Sequence, residues 1–135
     1  MQTYFRLLIF LCLLIPSLVA SAQTDEGSQD SAVAKKENVF HGIASYYGDK
    51  FNGRKTANGE IFDQNKFTAA CNKLPLGTRI KVTNLKNGQS VIVRVNDRLH
   101  PKMKRIVDLS KAAAKKINII STGIAKVKVE VLEKK

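Results

Sequence analysis

The chain has 135 residues, a length that suits one globular domain and excludes a second large module. Its formal net charge of +12 favours anionic partners, but the basic residues are spread along the chain and match no nucleic-acid-binding motif, so we expect no nucleic-acid partner. The two cysteines and two histidines have no metal-ligand spacing, and we expect neither a metal nor another cofactor.

The N-terminal segment has the layout of a secretory signal peptide. Arg6 precedes an apolar run over 7–15, and small residues follow at Ala20–Ala22. Because the run is too short to cross a bilayer comfortably, we expect residues 1–22 to be cleaved near Ala22 and not retained as an anchor. Cys12 lies inside the apolar run, so no lipidation is expected. The sequence therefore predicts export to the periplasm or cell envelope.

Residues 23–38 are rich in Ser, Asp, Glu, Gln and Lys, and Val33 is the one large apolar side chain among them. Such a composition cannot bury enough surface to offset the entropy of ordering, so we interpret this stretch as a flexible linker. The domain is predicted to span 39–133. Cys71 would be the single thiol left after cleavage, which excludes an intramolecular disulfide.

From Val39 onwards the hydrophobic period is mostly two, as in half-buried strands. Weaker strand candidates come first, at Gly42–Tyr47 and Phe67–Ala70. Two clearly alternating segments follow, Thr78–Asn84 and Ser90–Val95. Between them, Asn87-Gly88 predicts a hairpin whose tight turn has positive φ at both positions. The inward side chains are predicted to be Ile80, Val82, Val91, Val93 and Val95.

Three further elements are predicted in the last third of the chain. Arg105–Asp108 is a short strand candidate, Ser110 is a plausible N-cap for a helix over Lys111–Ile117, and Ile124–Leu132 alternates as a closing strand. The chain is thus nearly all β with one short helix, which suggests a small closed barrel. Periodicity alone does not choose among barrel topologies.

Several sequence blocks resemble, in order, the rare lipoprotein A (RlpA) family. The blocks are GIASYYG at 42–48, FNGRKTANGE at 51–60, FTAA at 67–70, LPLGT at 74–78, VTNL at 82–85, VRVNDR at 93–98, IVDLS at 106–110 and AAA at 112–114. The resemblance covers essentially the whole domain. It implies an all-β fold, a six-stranded double-psi β-barrel with one short helix, in which a groove across the barrel holds a polysaccharide.

The resemblance also implies an activity. Family members studied as enzymes are lytic transglycosylases, carbon–oxygen lyases that cut peptidoglycan glycan strands, preferably peptide-free ones, and leave 1,6-anhydro ends. The alternative is a non-catalytic, expansin-like module that binds the glycan. Many family members carry a C-terminal SPOR domain, and we expect this chain to be a monomeric, single-domain member without one. Peripheral contact with anionic envelope surfaces is left open.

Three active-site positions of the family map onto this sequence. Asp97 is the expected acid/base, and Glu60 is expected to bind sugar hydroxyls or to stabilise developing positive charge, although the roles could be exchanged. Either carboxylate could instead cap a loop or pair with a neighbour such as Arg98. Cys71 stands where the family has a His, and a thiol is no equivalent of an imidazole, so we expect reduced or absent activity.

The roles expected of the remaining candidate residues follow from their sequence neighbours. A packing role for Cys71 is favoured over that of a nucleophile, because neither histidine of the chain lies in a recognised Cys-His motif. We expect Tyr47, Thr56, Asn58 and Arg98 to bind the glycan, with core packing an alternative for Tyr47. Asp108, close to the predicted helix start, is expected to order that turn and to complement the helix dipole.

Overall fold

The computed structural model describes residues 38–133. The proposed signal peptide and almost all of the proposed linker lie outside these residues. Within them, no helix combines the length and the apolar character that a bilayer crossing requires.

The described part of the chain forms six strands, one helix and one 3-10 turn. Every predicted strand is confirmed, with bounds that differ by a few residues, because the alternation that marks a half-buried strand is a local property. The elements are β1 (Val39–Tyr46), the 3-10 turn Asp49–Phe51, β2 (Thr68–Ala70), β3 (Arg79–Asn84), β4 (Ser90–Asp97), β5 (Val107–Leu109), α1 (Lys111–Lys116) and β6 (Ala125–Glu133).

The six strands close into a barrel in the order β1-β5-β2-β4-β3-β6. Strand β1 runs parallel to β5, and β2 runs parallel to β4; the other four neighbouring pairs are antiparallel. Closure leaves no unpaired sheet edge. The predicted fold class, an all-β six-stranded double-psi barrel with one short helix, is confirmed.

The inward faces of the strands fill the barrel. The predicted alternation is confirmed, since Ile80, Val82, Val91, Val93, Val95, Val127 and Val129 are all buried in one cluster. Helix α1 packs Ala113 and Ala114 against that cluster. Ser110 is the predicted N-cap, and its Oγ accepts the N–H of Ala113 at 3.3 Å.

The β3–β4 hairpin is confirmed, but its predicted tight turn is wrong. Thr83 pairs with Ser90, and the connection between the strands holds Gly88 at φ +73°, whereas Asn87 does not adopt a positive φ. The N–H of Gly88 donates to the carbonyl of Asn84 at 2.8 Å. Because the loop is longer than two residues, one left-handed position suffices to reverse the chain.

A β-bulge interrupts the parallel pairing of β2 with β4. Ala69 pairs with Val95 and Ala70 pairs with Asp97, so Asn96 is an extra residue on β4. Strict alternation after Val95 would direct Asp97 into the core. The bulge buries Asn96 instead and leaves Asp97 half-buried at the end of the strand. The register shift therefore determines where this carboxylate points.

Candidate functional site

A groove of about 530 Å³ opens beside the carboxyl ends of β1 and β4. Its walls come from the end of β1, the turn 48–55, the end of β4 with the loop that follows, and β5. Among the predicted site residues, Asp97, Tyr47 and Arg98 line this groove. The ends of β1 and β4 thus bring together residues that are distant in the sequence.

Asp97 is held at the groove by three hydrogen-bond donors. The hydroxyl of Tyr47 donates to Oδ2 at 2.6 Å, and the backbone N–H groups of Ala57 and Arg98 each donate to Oδ1 at 2.9 Å. Side-chain and backbone donors on both oxygens fix the orientation of the carboxylate. Such a group can exchange a proton with a ligand that enters the groove without first reorganising.

Tyr47 forms part of the groove wall and also packs. Its ring lies 4.3 Å from the Phe62 ring and 5.6 Å from the Phe51 ring, centroid to centroid. Burial, followed by the hydrogen bond to Asp97, raises the pKa of the Tyr47 hydroxyl well above its ordinary value. The phenol therefore stays protonated at neutral pH and remains a hydrogen-bond donor to Asp97.

Glu60 does not line the groove. Arg94 holds it in a bidentate ion pair, with Nη1 2.6 Å from Oε1 and Nη2 2.7 Å from Oε2. The Arg94 guanidinium is the largest cause that lowers the pKa of Glu60 from 4.5 to about 2, and the amides of Asn58 and Asn96 add to it. Glu60 is thus a fixed carboxylate at neutral pH, with no proton to donate.

Thr56 and Asn58 fold the turn that carries Glu60. Thr56 is buried, its backbone N–H donates to the carbonyl of Glu60 at 2.8 Å, and its hydroxyl donates to Oδ1 of Asn58 at 2.6 Å. The backbone N–H of Asn58 donates to the carbonyl of Asn96 at 3.2 Å. Neither side chain lines the groove, and their contacts bring the N–H of Ala57 to Asp97.

Cys71 lies in the hydrophobic core, fully buried. Its backbone N–H donates to the carbonyl of Asp97 at 3.0 Å, so the two residues are neighbours through their main chains and not through their side chains. Burial raises the pKa of the Cys71 thiol. This placement favours the packing role over that of a nucleophile.

Arg98 forms no described ion pair with Asp97 within residues 38–133. Its Nη1 donates instead to the backbone carbonyls of Cys71 and Leu74, the latter at 2.6 Å. The guanidinium therefore holds the loop after β2 against the groove rim. Its role as a glycan ligand stays a prediction.

Asp108 is not part of the helix start, where it was expected to order the turn, and the first helical turn contains no acidic residue. It lies within β5, lines the groove and is buried, and its carboxylate forms a bidentate ion pair with Arg105, with Nη2 2.9 Å from Oδ2. The helix start is capped by Ser110 alone among these residues. Asp108 belongs to the IVDLS block of the family resemblance, which could have indicated a place at the groove. Its closeness to the predicted helix in the sequence favoured a role at the helix start instead. The groove thus has two carboxylates, Asp97 and Asp108, and Glu60 is not one of them.

No group of three or more His, Cys, Asp or Glu side chains that could hold a metal ion occurs among residues 38–133. What the groove provides is a hydrogen-bonded carboxylate, an aromatic wall and several basic side chains. These are the elements of a site for general acid/base chemistry on a polar, extended ligand.

Two solved structures share the fold. A Streptomyces papain inhibitor superposes with a TM-score of 0.58 at 22% identity, over 70% of this chain and 94% of that one. An apo expansin of Clavibacter michiganensis also superposes with a TM-score of 0.58, at 21% identity, over 70% of this chain and 50% of that one. At such identities the likeness concerns the fold alone.

Relatives identified by sequence share a higher identity with this chain than these structures do. A probable endolytic peptidoglycan transglycosylase RlpA of Synechocystis is 48% identical over 88% of this chain, and an endolytic peptidoglycan transglycosylase RlpA of Neisseria meningitidis serogroup A is 55% identical over 66%. The chain spans 37% of the length of each of these curated relatives. The family profile described as lytic transglycolase matches residues 39–129. The chain belongs to this lytic transglycolase family of double-psi β-barrel domains.

Proposed function

We propose that this protein is an endolytic lytic transglycosylase that cleaves peptidoglycan glycan strands, preferably peptide-free ones. The observation that carries the proposal is the Asp97 carboxylate, which lies in the groove of a barrel of this family and accepts the Tyr47 hydroxyl at 2.6 Å. The relatives, which are named as endolytic peptidoglycan transglycosylases, support the substrate and the reaction.

In the first step, a protonated Asp97 donates its proton to the glycosidic oxygen that leaves, and the sugar develops oxocarbenium character. In the second step, the Asp97 carboxylate takes the proton of the sugar's own 6-hydroxyl, whose oxygen attacks C1 and closes the 1,6-anhydro ring. One carboxyl group serves both steps, and no water is consumed. The Tyr47 hydroxyl donates to Asp97 when it is ionised and accepts from it when it is protonated.

Glu60 acts as a positioning residue in this mechanism. Its ion pair with Arg94 and its hydrogen bond from Asn58 at 2.7 Å hold the turn that presents the Ala57 N–H to Asp97. A carboxylate with a pKa of about 2 cannot serve as the proton donor near neutral pH. Asp108 is the second groove carboxylate, but its bidentate ion pair with Arg105 offsets its negative charge, so we assign it no step of the reaction.

A non-catalytic glycan-binding module is the second candidate. The observation that favours it is Cys71, a buried thiol at the position where the family has a His. Without an imidazole, the groove could retain binding and lose turnover.

Export completes the proposal. We infer that residues 1–22 direct the chain across the membrane and are cleaved near Ala22 without lipidation, and that the monomeric barrel acts in the periplasm or cell envelope. An N-terminal sequence of the purified extracellular or periplasmic protein that begins near Gln23 would support this. A retained N-terminus, or a lipid on the protein, would contradict it.

The activity is tested by digestion of purified peptidoglycan, intact and amidase-stripped, with the processed chain and with Asp97→Asn. The products are analysed by mass for 1,6-anhydro ends. Anhydro products that are absent with Asp97→Asn are the expected result. If the protein sediments with the glycan but forms no products, the binding module is the correct function.

A further inference from the structure

One side of the groove carries three cations that have no acidic partner. Lys50, Arg54 and Lys55 line the groove, and we call them the cationic lip. Among the described side chains, those of residues 38–132, no carboxylate forms an ion pair with any of the three. Asp49, the acid next to the lip, is paired with Lys111 at 3.0 Å. The positive charge of the lip is therefore available to a ligand.

Two of the three lip cations, Lys50 and Arg54, are held by an aromatic ring. The Nζ of Lys50 lies 5.2 Å and the Cζ of Arg54 lies 5.5 Å from the centroid of Phe51, both within cation–π distance. Phe51 packs edge-on against Tyr47, and Tyr47 donates to Asp97. A continuous series of contacts, through Phe51 and Tyr47, therefore connects two of the cations with the acid in the same groove.

The cations elsewhere in the groove differ from the lip. Arg105 is neutralised by Asp108, and Nη1 of Arg98 is engaged by two backbone carbonyls. The lip thus supplies three of the four cations in the groove lining that have no described carboxylate partner, and the fourth, Arg98, already has one nitrogen bonded to backbone; this is an uneven distribution of available charge. A ligand that carries a carboxylate beside the reacting linkage complements this asymmetry better than a neutral sugar chain does.

We propose that the cationic lip binds the lactyl carboxylates of N-acetylmuramic acid and so makes a free carboxylate on the sugar a determinant of specificity. This inference rests on the proposed function. The lactyl group is an anion only where its amide bond to the stem peptide has been hydrolysed. The lip would therefore select peptide-free strands by attraction to their charge, and not only by exclusion of the peptide's bulk.

The contacts would be exposed and screened by salt, so each contributes modestly. Three of them together correspond to about a tenfold preference for strands with free carboxylates over neutralised strands at low ionic strength. The preference should shrink as salt is added, because the Debye length falls.

The test compares two forms of amidase-stripped glycan: strands with free lactyl carboxylates and the same strands coupled to methylamine, which neutralises the carboxylates. Wild-type protein is compared with Lys50→Gln/Arg54→Gln/Lys55→Gln. The matched control is Lys86→Gln/Lys115→Gln/Lys126→Gln, which removes the same charge from exposed residues outside the groove. Co-sedimentation measures binding, and anhydro ends measure cleavage.

The expected result is that wild type and control prefer free carboxylates about tenfold, whereas the lip variant binds both strand forms equally and as weakly as wild type binds the neutral form. An equal affinity of wild type for both forms, or a lip variant that keeps the preference, would overturn the proposal. Co-sedimentation measures binding by the lip whether or not anhydro ends form. If no strand yields anhydro ends, the transglycosylase hypothesis is overturned, and the co-sedimentation data alone then decide whether the lip recognises the carboxylates.

Discussion

The Arg94–Glu60 ion pair should make the stability of the barrel depend on pH in a defined window. In Arg94→Gln, Glu60 loses the guanidinium, which is the largest of the causes that lower its pKa from 4.5 to about 2. A carboxyl group whose folded pKa is lowered contributes stability above its unfolded pKa, and this contribution is lost as the pH falls towards the folded pKa. The difference in unfolding free energy between wild type and variant should be largest above about pH 5 and should decline towards pH 2.

The size of the effect follows from the same pKa values. Before any reduction for solvent screening, a pKa lowered from 4.5 to about 2 corresponds to about 3 kcal/mol of unfolding free energy. The side chains of Arg94 and Glu60 are 39% and 41% exposed, so solvent screening reduces the expected loss of unfolding free energy to about 1–2 kcal/mol at neutral pH.

Urea denaturation of both proteins between about pH 7 and about pH 3 measures this loss, which should narrow by at least half over that range. Arg54→Gln is the matched control, because it removes the same charge from a residue without a carboxylate partner in the described part of the chain. A loss that stays constant as the pH falls would refute the linkage. So would a loss in Arg54→Gln as large as that in Arg94→Gln.

Three further substitutions test the groove and its surroundings. Tyr47→Phe removes a charge-assisted hydrogen bond to Asp97 and should lower the kcat for anhydro-product formation about 10- to 100-fold while glycan co-sedimentation is kept; an unchanged kcat would contradict the role of the phenol. Asp108→Asn leaves Arg105 without its carboxylate and should lower the free energy of unfolding by about 2 kcal/mol in urea titrations. A loss no larger than that of an ordinary surface substitution would show that the ion pair does not stabilise the barrel. Cys71→Ala should cost about 1–2 kcal/mol of stability and leave the kcat within a few-fold of wild type, and a complete loss of turnover in a folded variant would restore the thiol to the mechanism.

The strands of this barrel could be predicted because each one is a local pattern. Val91, Val93 and Val95 alternate with exposed or half-buried neighbours, and no distant contact is needed to see which face is inward. The predicted turn conformation was wrong at Asn87, because the sequence does not show how many residues between the two strands lie outside the strand pairing. Periodicity predicted neither the strand order nor the two parallel pairs; the resemblance to a family supplied the barrel type alone, a six-stranded double-psi barrel.

The site was less accessible to sequence reasoning because its contacts join distant segments. Arg94 and Glu60 are 34 positions apart, and an alternating strand pattern identifies Arg94 only as an outward residue. Cys71 directly follows a strand of three residues, too short to display a period, so its burial could not be read from its neighbours. Asp97 and Tyr47 both line the groove, and their hydrogen bond appears only once β1 and β4 are folded.

The bulge at Asn96 has a consequence for how this site tolerates evolutionary change. The direction of the Asp97 side chain depends on the number of residues between Val95 and Asp97, and less on their identity. An alanine scan would pass over this property, since alanine at position 96 keeps the count. Deleting Asn96 would restore strict pairing and rotate the acid towards the barrel interior, so insertions and deletions in this stretch should be rarer among functional barrels than substitutions are.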